Sequence, residues 1–413
     1  MPVSRRGFLR LVGTAESSPI SGPSPWLGAG AFLSARGLEA YFAEAQAQTP
    51  ERAPRPVLPP GVEEIRISSN ENPLGPGKTA LDAILGKFPE AGRYPFNSSP
   101  ADADLVAAIA ATYQIKPENV VLGAGSQEIL KNAMRAWVSP ARSLVTAVPT
   151  FENCTGYAKR YELPVTEVKV DSAMRIDVGA LIAAASTGDA GLVFFNNPNN
   201  PTATVHGATT VTDMVERIRK ASPDTVILID EAYHDYVTDP SYQTAIPLAL
   251  STPNVFVART FSKAYGMAGM RIGYAIGMAD TLKPLAKLKM PYNISVFGVA
   301  AAIASLNDPQ HIAGERTRNT EVRAFTVKAL QDMGAKPSDS QGNFIFVDIG
   351  RPAKEFRETC AKSGVMVGRD FPPFEKTHCR ISIGTMEEMK KATEVFRSAL
   401  KITTTAAGEK GGR

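Results

Sequence analysis

Arg259-Thr260-Phe261-Ser262-Lys263-Ala264-Tyr265-Gly266-Met267-Ala268-Gly269-Met270-Arg271-Ile272-Gly273 sets a lysine just after a strand-like run, between hydroxyls at Thr260 and Ser262 and ahead of Arg271. Partial burial and a nearby cation lower the pKa of such an amine, so that some of it is neutral and nucleophilic near neutral pH. The hydroxyls and the arginine suit a phosphate. An amine that forms imines beside a phosphate site implies one cofactor carrying both an aldehyde and a phosphate, and pyridoxal 5'-phosphate has that chemistry. The dipeptide Ser-Lys is common, so the weight comes from what surrounds it.

Other polar clusters stand where apolar runs stop. Gly191 to Phe195 ends in Asn196-Asn197-Pro198-Asn199-Asn200-Pro201-Thr202, Thr225 to Ile229 ends in Asp230-Glu231-Ala232-Tyr233, and Asn254 to Arg259 leads into Lys263. Continuous runs of this kind, separated by helix-like segments such as 208–221, predict parallel strands buried on both faces. Ligands of an open α/β sheet gather outside the carboxyl ends of its strands, so Asn200, Asp230 and Lys263 are expected to meet. Upstream, Asn119 to Leu122 is followed by Gly123-Ala124-Gly125-Ser126-Gln127-Glu128 and then by Ile129, Leu130, Ala133, Met134 and Trp137 at helical spacing. A strand, a glycine turn and a helix start make an anion cradle. The same turn also serves simply to cap a helix.

With these motifs in place, the chain resembles the fold-type I pyridoxal-phosphate aminotransferases, and within them the histidinol-phosphate aminotransferase group. The resemblance spans about residues 60 to 402. It rests on Asn70-Glu-Asn-Pro-Leu-Gly-Pro76, Arg93-Tyr-Pro95, Gly123 to Gln127, Pro149-Thr-Phe151, Asn197 to Thr202, Asp230 to Tyr233, Ser262-Lys263 with Arg271, Asn343-Phe344 and Arg380-Ile-Ser-Ile-Gly-Thr385. It implies an α/β fold with a large, mostly parallel-sheet domain and a smaller α+β C-terminal domain. The implied reaction moves an amino group between an amino donor and a 2-oxo acid. A threonine-phosphate decarboxylase-like lyase is the alternative within the lineage, and a non-catalytic binding protein the alternative outside it.

The resemblance also implies roles. Lys263 binds the cofactor covalently and shuttles the proton, Asp230 partners the pyridine nitrogen, and Asn200 and Tyr233 face the ring's phenolate oxygen. Phe151 stacks on the ring, while Gly125, Ser126, Gln127, Thr260, Ser262 and Arg271 cradle the phosphate. Tyr94 reaches that phosphate from the neighbouring subunit of a homodimer. Arg380 grips an anionic substrate group, with Arg369 and Asn343 beside it. Two departures from the pattern stand out: Gly368 before Arg369 with Phe371-Pro-Pro373 after it, and Ala203 where the family has glycine.

Composition is consistent with an enzyme of this kind. A chain of 413 residues, 44% hydrophobic, can bury a full core in two domains. The net charge of +4 is mild and no basic block points to nucleic acid. Four histidines and three cysteines, in no ligand spacing, indicate neither a metal site nor a disulfide framework. No apolar run is long enough to span a membrane. Ser4-Arg5-Arg6-Gly7-Phe8-Leu9-Arg10 resembles a twin-arginine export motif, with small-residue cleavage sites at Ala43-Glu-Ala45 and Ala45-Gln-Ala47. Glu16 and the prolines at 19, 23 and 25 interrupt the apolar region, so a basic leader on a cytoplasmic enzyme is the alternative to a periplasmic one. The expected organisation is a signal peptide over 1–47, a proline-rich linker over 48–62, the large domain over 63–300, the small domain over 301–402 and a tail over 403–413.

Overall fold

Strands that are apolar at every position have no face to offer water and must lie between layers. The structure, a computed structural model, describes residues 62–94 and 101–401. The twin-arginine segment, all of the linker but Val62, and the C-terminal tail fall outside the described residues. The strands are β1 (Ile65–Arg66), β2 (Val120–Ala124), β3 (Ser143–Val148), β4 (Val165–Lys169), β5 (Ala190–Asn196), β6 (Val226–Asp230), β7 (Val255–Thr260), β8 (Ile272–Gly277), β9 (Lys336–Pro337), β10 (Phe344–Asp348), β11 (Val365–Met366) and β12 (His378–Ser382).

Seven of them form one sheet in the order β2-β8-β7-β6-β5-β3-β4. β5, β6, β7 and β8 are buried throughout. Their side chains alternate between two cores, because successive residues of a strand point to opposite faces. Val193, Phe195, Ile227 and Ile229 enter one core with Val211, Met214, Val215 and Ile218 of the helix Ala208–Ala221. Leu192, Phe194, Leu228 and Phe256 enter the other with Ile129, Leu130, Ala133 and Met134 of the helix Ser126–Trp137.

All neighbours within β4-β3-β5-β6-β7 run parallel, whereas β8 is antiparallel to both β7 and β2. This single reversal has a functional consequence. The register Ala124 with Ile272 and Thr260 with Gly273 places the beginning of β8 at the edge where β2 and β7 end. Arg271, just ahead of β8, therefore arrives among the loops that carry Ser126 and Lys263.

A second, antiparallel sheet has the order β12-β10-β9 and packs with the helices Ala353–Lys362 and Met386–Lys401 around Ile345, Val347, Phe356, Ile381 and Phe396. β1 pairs with β11, and Ile65 and Ile67 belong to this smaller core although they come early in the chain. The segment leaving β1 thus runs from the C-terminal core toward the main sheet, which is how residues 68–72 come to face Lys263. Among the described residues no helix is long and apolar enough to cross a membrane, and no cluster suits a metal ion. Cys154, Cys360 and Cys379 are free and buried.

Candidate active site

The loops at the carboxyl edge of the main sheet converge as the sequence led us to expect. Gly125 has φ +76°, and a Cβ there would lie 2.3 Å from Nη2 of Arg271. A Cβ on Gly273 would lie 2.2 Å from the backbone nitrogen of Ser126. Two absent side chains thus let the arginine and the start of the helix Ser126–Trp137 share one space. The first N–H groups of a helix lack intrahelical acceptors and favour an anion. Nη1 of Arg271 donates to the Ala268 carbonyl at 2.9 Å and, at a looser 3.4 Å, to Ser262 Oγ, while Nη2 reaches Gln127 Oε1 at 3.4 Å. Ser262 N–H donates to Thr260 Oγ1 at 3.1 Å, which orders the hydroxyl loop beside the cation. Such an arrangement suits a phosphate.

Lys263 Nζ donates to the carbonyls of Ser69 and Asn70 at 3.3 and 3.1 Å. Burial, aided by the Arg380 and Arg271 charges and opposed by Glu71 and Asp230, brings its pKa down to about 8. A useful fraction of neutral amine follows near neutral pH. The carbonyls are held by Asn70 and Ser382, which sequence reading gave no role, and by Asn343, which it placed beside the substrate and which lies here against the loop. Asn70 takes a left-handed backbone, φ 54°, which asparagine tolerates better than most residues. Its N–H donates to Ser382 Oγ at 2.8 Å, and that hydroxyl donates back to Asn70 Oδ1 at 2.8 Å. Asn343 Nδ2 donates to the carbonyls of Asn70 and Glu71 at 3.1 and 3.3 Å. Asn343 so positions the loop against which Lys263 rests. The period of two along β12, which sets Ser382 on the same face as Arg380, was the available signal for the serine.

Asp230 ends β6 and is 2% exposed. Burial lifts its pKa to about 7, against the Ala232 N–H, which donates to Oδ1 at 3.2 Å, and against Lys263; Glu231 adds to the rise. A buried carboxyl poised near neutrality suits a partner nitrogen with which it shares a proton. Tyr233 is also buried, which pushes its phenol up to about 12 and keeps it protonated. Its oxygen accepts from Asn70 Nδ2 at 3.1 Å and Asn200 Nδ2 at 3.3 Å, so neither bond uses the hydroxyl's own hydrogen. Phe151, on the loop after β3, packs against the core that contains Met134 and Phe194. Amine, carboxyl, phenol with amide, aromatic face and anion cradle lie at one edge of one sheet. They fit a flat aldehyde that carries a phosphate.

Arg380 is buried on β12. Nη1 donates to Asn200 Oδ1 at 2.8 Å and Nη2 to the Ser68 carbonyl at 2.7 Å, whereas Nε has no partner. Its guanidinium lies 4.7 Å from the Phe371 ring and 5.8 Å from the Phe344 ring. Burial lowers its pKa to about 10, so it remains cationic at neutral pH. No carboxylate pairs with it among the described residues, and an unpaired buried charge is costly by several kcal/mol. Such a cation is a site for an anion. Arg369 is differently placed: Nη1 donates to Glu152 Oε1 at 3.0 Å, and Nη2 completes a two-pronged pair with the same carboxylate. Tyr94 is 79% exposed, with its ring against Tyr292 at 5.4 Å.

Comparison with known proteins agrees with this geometry. The family model for aminotransferase class I and II matches residues 62–396. Histidinol-phosphate aminotransferase of Moorella thermoacetica is 33% identical over 82% of this chain and 84% of its own length. An aromatic amino acid aminotransferase of Thermobifida fusca is 32% identical over 84% of this chain and 94% of its own. The crystal structure of histidinol-phosphate aminotransferase from Sinorhizobium meliloti in complex with pyridoxal-5'-phosphate superposes with a TM-score of 0.76 at 26% identity, covering 92% of this chain and 99% of that one. The chain belongs to the class I and II aminotransferases, enzymes of fold type I that work with pyridoxal phosphate.

Proposed function

We propose that the enzyme transfers an amino group from a donor whose anionic group is held by Arg380 to a 2-oxo acid held by the same arginine, with Lys263 moving the proton between the two carbon positions. The observation that carries this reading is the placement of the Lys263 amine against the Ser69 and Asn70 carbonyls, between buried Asp230 and the Arg271 cradle. Bound pyridoxal phosphate supplies the electron sink for the charge left at the donor carbon. Asp230 would hold the proton on the ring nitrogen, Tyr233 and Asn200 would serve the ring oxygen, Phe151 the ring face, and Gly125, Ser126, Gln127, Thr260, Ser262 and Arg271 the phosphate. Arg380 orients the substrate by charge-assisted bonds to both oxygens of a planar anion. The decarboxylase alternative has no support among the named relatives. Purified enzyme mixed with single amino acids should convert its cofactor to the amine form, seen in absorbance, and recover on addition of a 2-oxo acid. A broad panel of donors that leaves the spectrum unchanged would overturn the assignment.

A homodimer with shared sites is part of the proposal, with residues 63–300 as the large domain and 301–402 as the small one. Leu81 and Leu85, on one face of the helix Lys78–Gly86, are exposed with Phe88, Tyr94, Met290 and Tyr292, an apolar surface of the kind that marks an interface. If Tyr94 crosses to the partner's phosphate, mixed Tyr94→Phe and Lys263→Ala chains should regain part of the activity that either variant lacks. An active monomer in sedimentation would remove the role. We also propose that the Ser4 to Arg10 motif directs export to the periplasm. Replacing Arg5 and Arg6 by lysine should hold active enzyme in the cytoplasm, and the mature protein should begin near Gln46 or Gln48. Recovery of native protein starting at Met1 or Pro2 would leave the segment as a simple leader.

A further inference from the structure

Arg369 and Arg380 approach a single aromatic ring, that of Phe371, at 4.3 and 4.7 Å from its centroid. The approach depends on Gly368. Its N–H donates to the Arg380 carbonyl at 2.8 Å, and a Cβ there would sit 2.6 Å from that oxygen. Glycine before Arg369, the departure visible in the sequence, thus lets this segment lie against β12 and brings a second guanidinium to the same ring. Two uncompensated guanidinium groups on one ring, each within the other's field, would together favour a phosphate monoester, which bears nearly two negative charges near neutral pH.

Glu152 changes that outcome. It follows Phe151 directly and occupies the cap position of the helix Asn153–Arg160, yet its side chain makes no capping bond. It reaches instead to Arg369 and engages it through both carboxylate oxygens. Each partner is about half exposed, so the pair adds little stability. Its effect is to cancel charge. Of the two arginines on Phe371, Arg380 is the one with no carboxylate partner among the described residues, and its Nε donor has no hydrogen-bond partner.

We propose that Glu152 is a specificity residue: by occupying Arg369 it makes the anion site of Arg380 selective for a singly charged carboxylate and adverse to a dianionic phosphate ester. The proposal deepens the aminotransferase reading and rests on it. With Glu152 in place, a phosphate entering beside Arg380 meets one effective positive charge and a nearby carboxylate, whereas the single charge of an amino acid's carboxylate is matched by Arg380 alone. The substrate class is then α-amino and 2-oxo carboxylates.

The test uses enzyme loaded with pyridoxal phosphate, so that the cofactor's own phosphate site is filled, and unreactive probes titrated by calorimetry. Phenylpropionate should bind the parent about tenfold more tightly than phenylethyl phosphate, or better. Glu152→Gln should move that ratio about tenfold toward the phosphate ester, and adding Arg369→Gln should restore it. A parent that prefers the phosphate ester, a ratio unmoved by Glu152→Gln, or a shift that survives loss of Arg369 would each overturn the proposal. Arg380→Gln addresses the underlying reading separately. It should abolish binding of both probes, and retention of both would remove Arg380 as the substrate anchor and with it the site whose selectivity Glu152 is proposed to set, whereas an unmoved ratio with Arg380 still essential overturns the Glu152 proposal alone.

Discussion

Lys263→Ala is expected to lower transamination by about four orders of magnitude or more, while the chain stays folded and still takes up pyridoxal phosphate without a covalent bond. The phosphate cradle of Ser126, Ser262 and Arg271 does not involve the lysine side chain, so retention of the cofactor follows from the geometry. In the parent, borohydride reduction should fix the cofactor to Lys263, and peptide mapping reads the position. An adduct on any other lysine would refute the assignment. The pH dependence has a definite sign. Only the neutral amine attacks the aldehyde, and the Lys263 pKa of about 8 means that uptake by cofactor-free enzyme should accelerate as pH rises toward that value and level off above it. Acceleration continuing unchanged into the range of an ordinary lysine would show that Lys263 is not held in the buried, cation-flanked setting described above.

Much of the site was legible in the chain because strand ends are legible. β5, β6 and β7 read as apolar runs, each ends in polar residues, and a parallel sheet collects such ends at one edge. That argument alone brought Asn200, Asp230 and Lys263 together. Arg271 could be tied to Lys263 by proximity in sequence, but its arrival at the cradle depends on β8 running against its neighbours, which no local pattern reports. Asn70 with Ser382 and Glu152 with Arg369 lie 312 and 217 residues apart. Their meeting follows from β1 joining the C-terminal core and from the loop after β11 lying on β12, both matters of tertiary packing. The sequence motifs that contain Asn70 and Ser382 drew attention to the right segments without saying what they hold. Gly368 was conspicuous as a departure, and its reason, contact with the Arg380 carbonyl, became visible only with β12 in place.

Asp230→Ala should reduce turnover by about three orders of magnitude, and Asp230→Asn by nearly as much. The two variants separate charge from packing. The carboxyl lies buried at the end of β6, within a sheet whose neighbouring positions are fully enclosed, so alanine leaves a small void as well as removing an acid. Asparagine keeps the volume and can still accept the Ala232 N–H, but it carries no negative charge. Burial already raises the Asp230 pKa to about 7 in the absence of a partner, so a ring nitrogen arriving there meets a group ready to share its proton. An amide leaves that nitrogen without a counter-charge, and the ring then withdraws electrons poorly. Steady-state turnover with a saturating donor, compared among parent, asparagine and alanine enzymes that all retain the cofactor spectrum, decides the matter. If Asp230→Asn turns over at close to the parental rate while Asp230→Ala is impaired, the residue fills space and its charge has no part in the reaction.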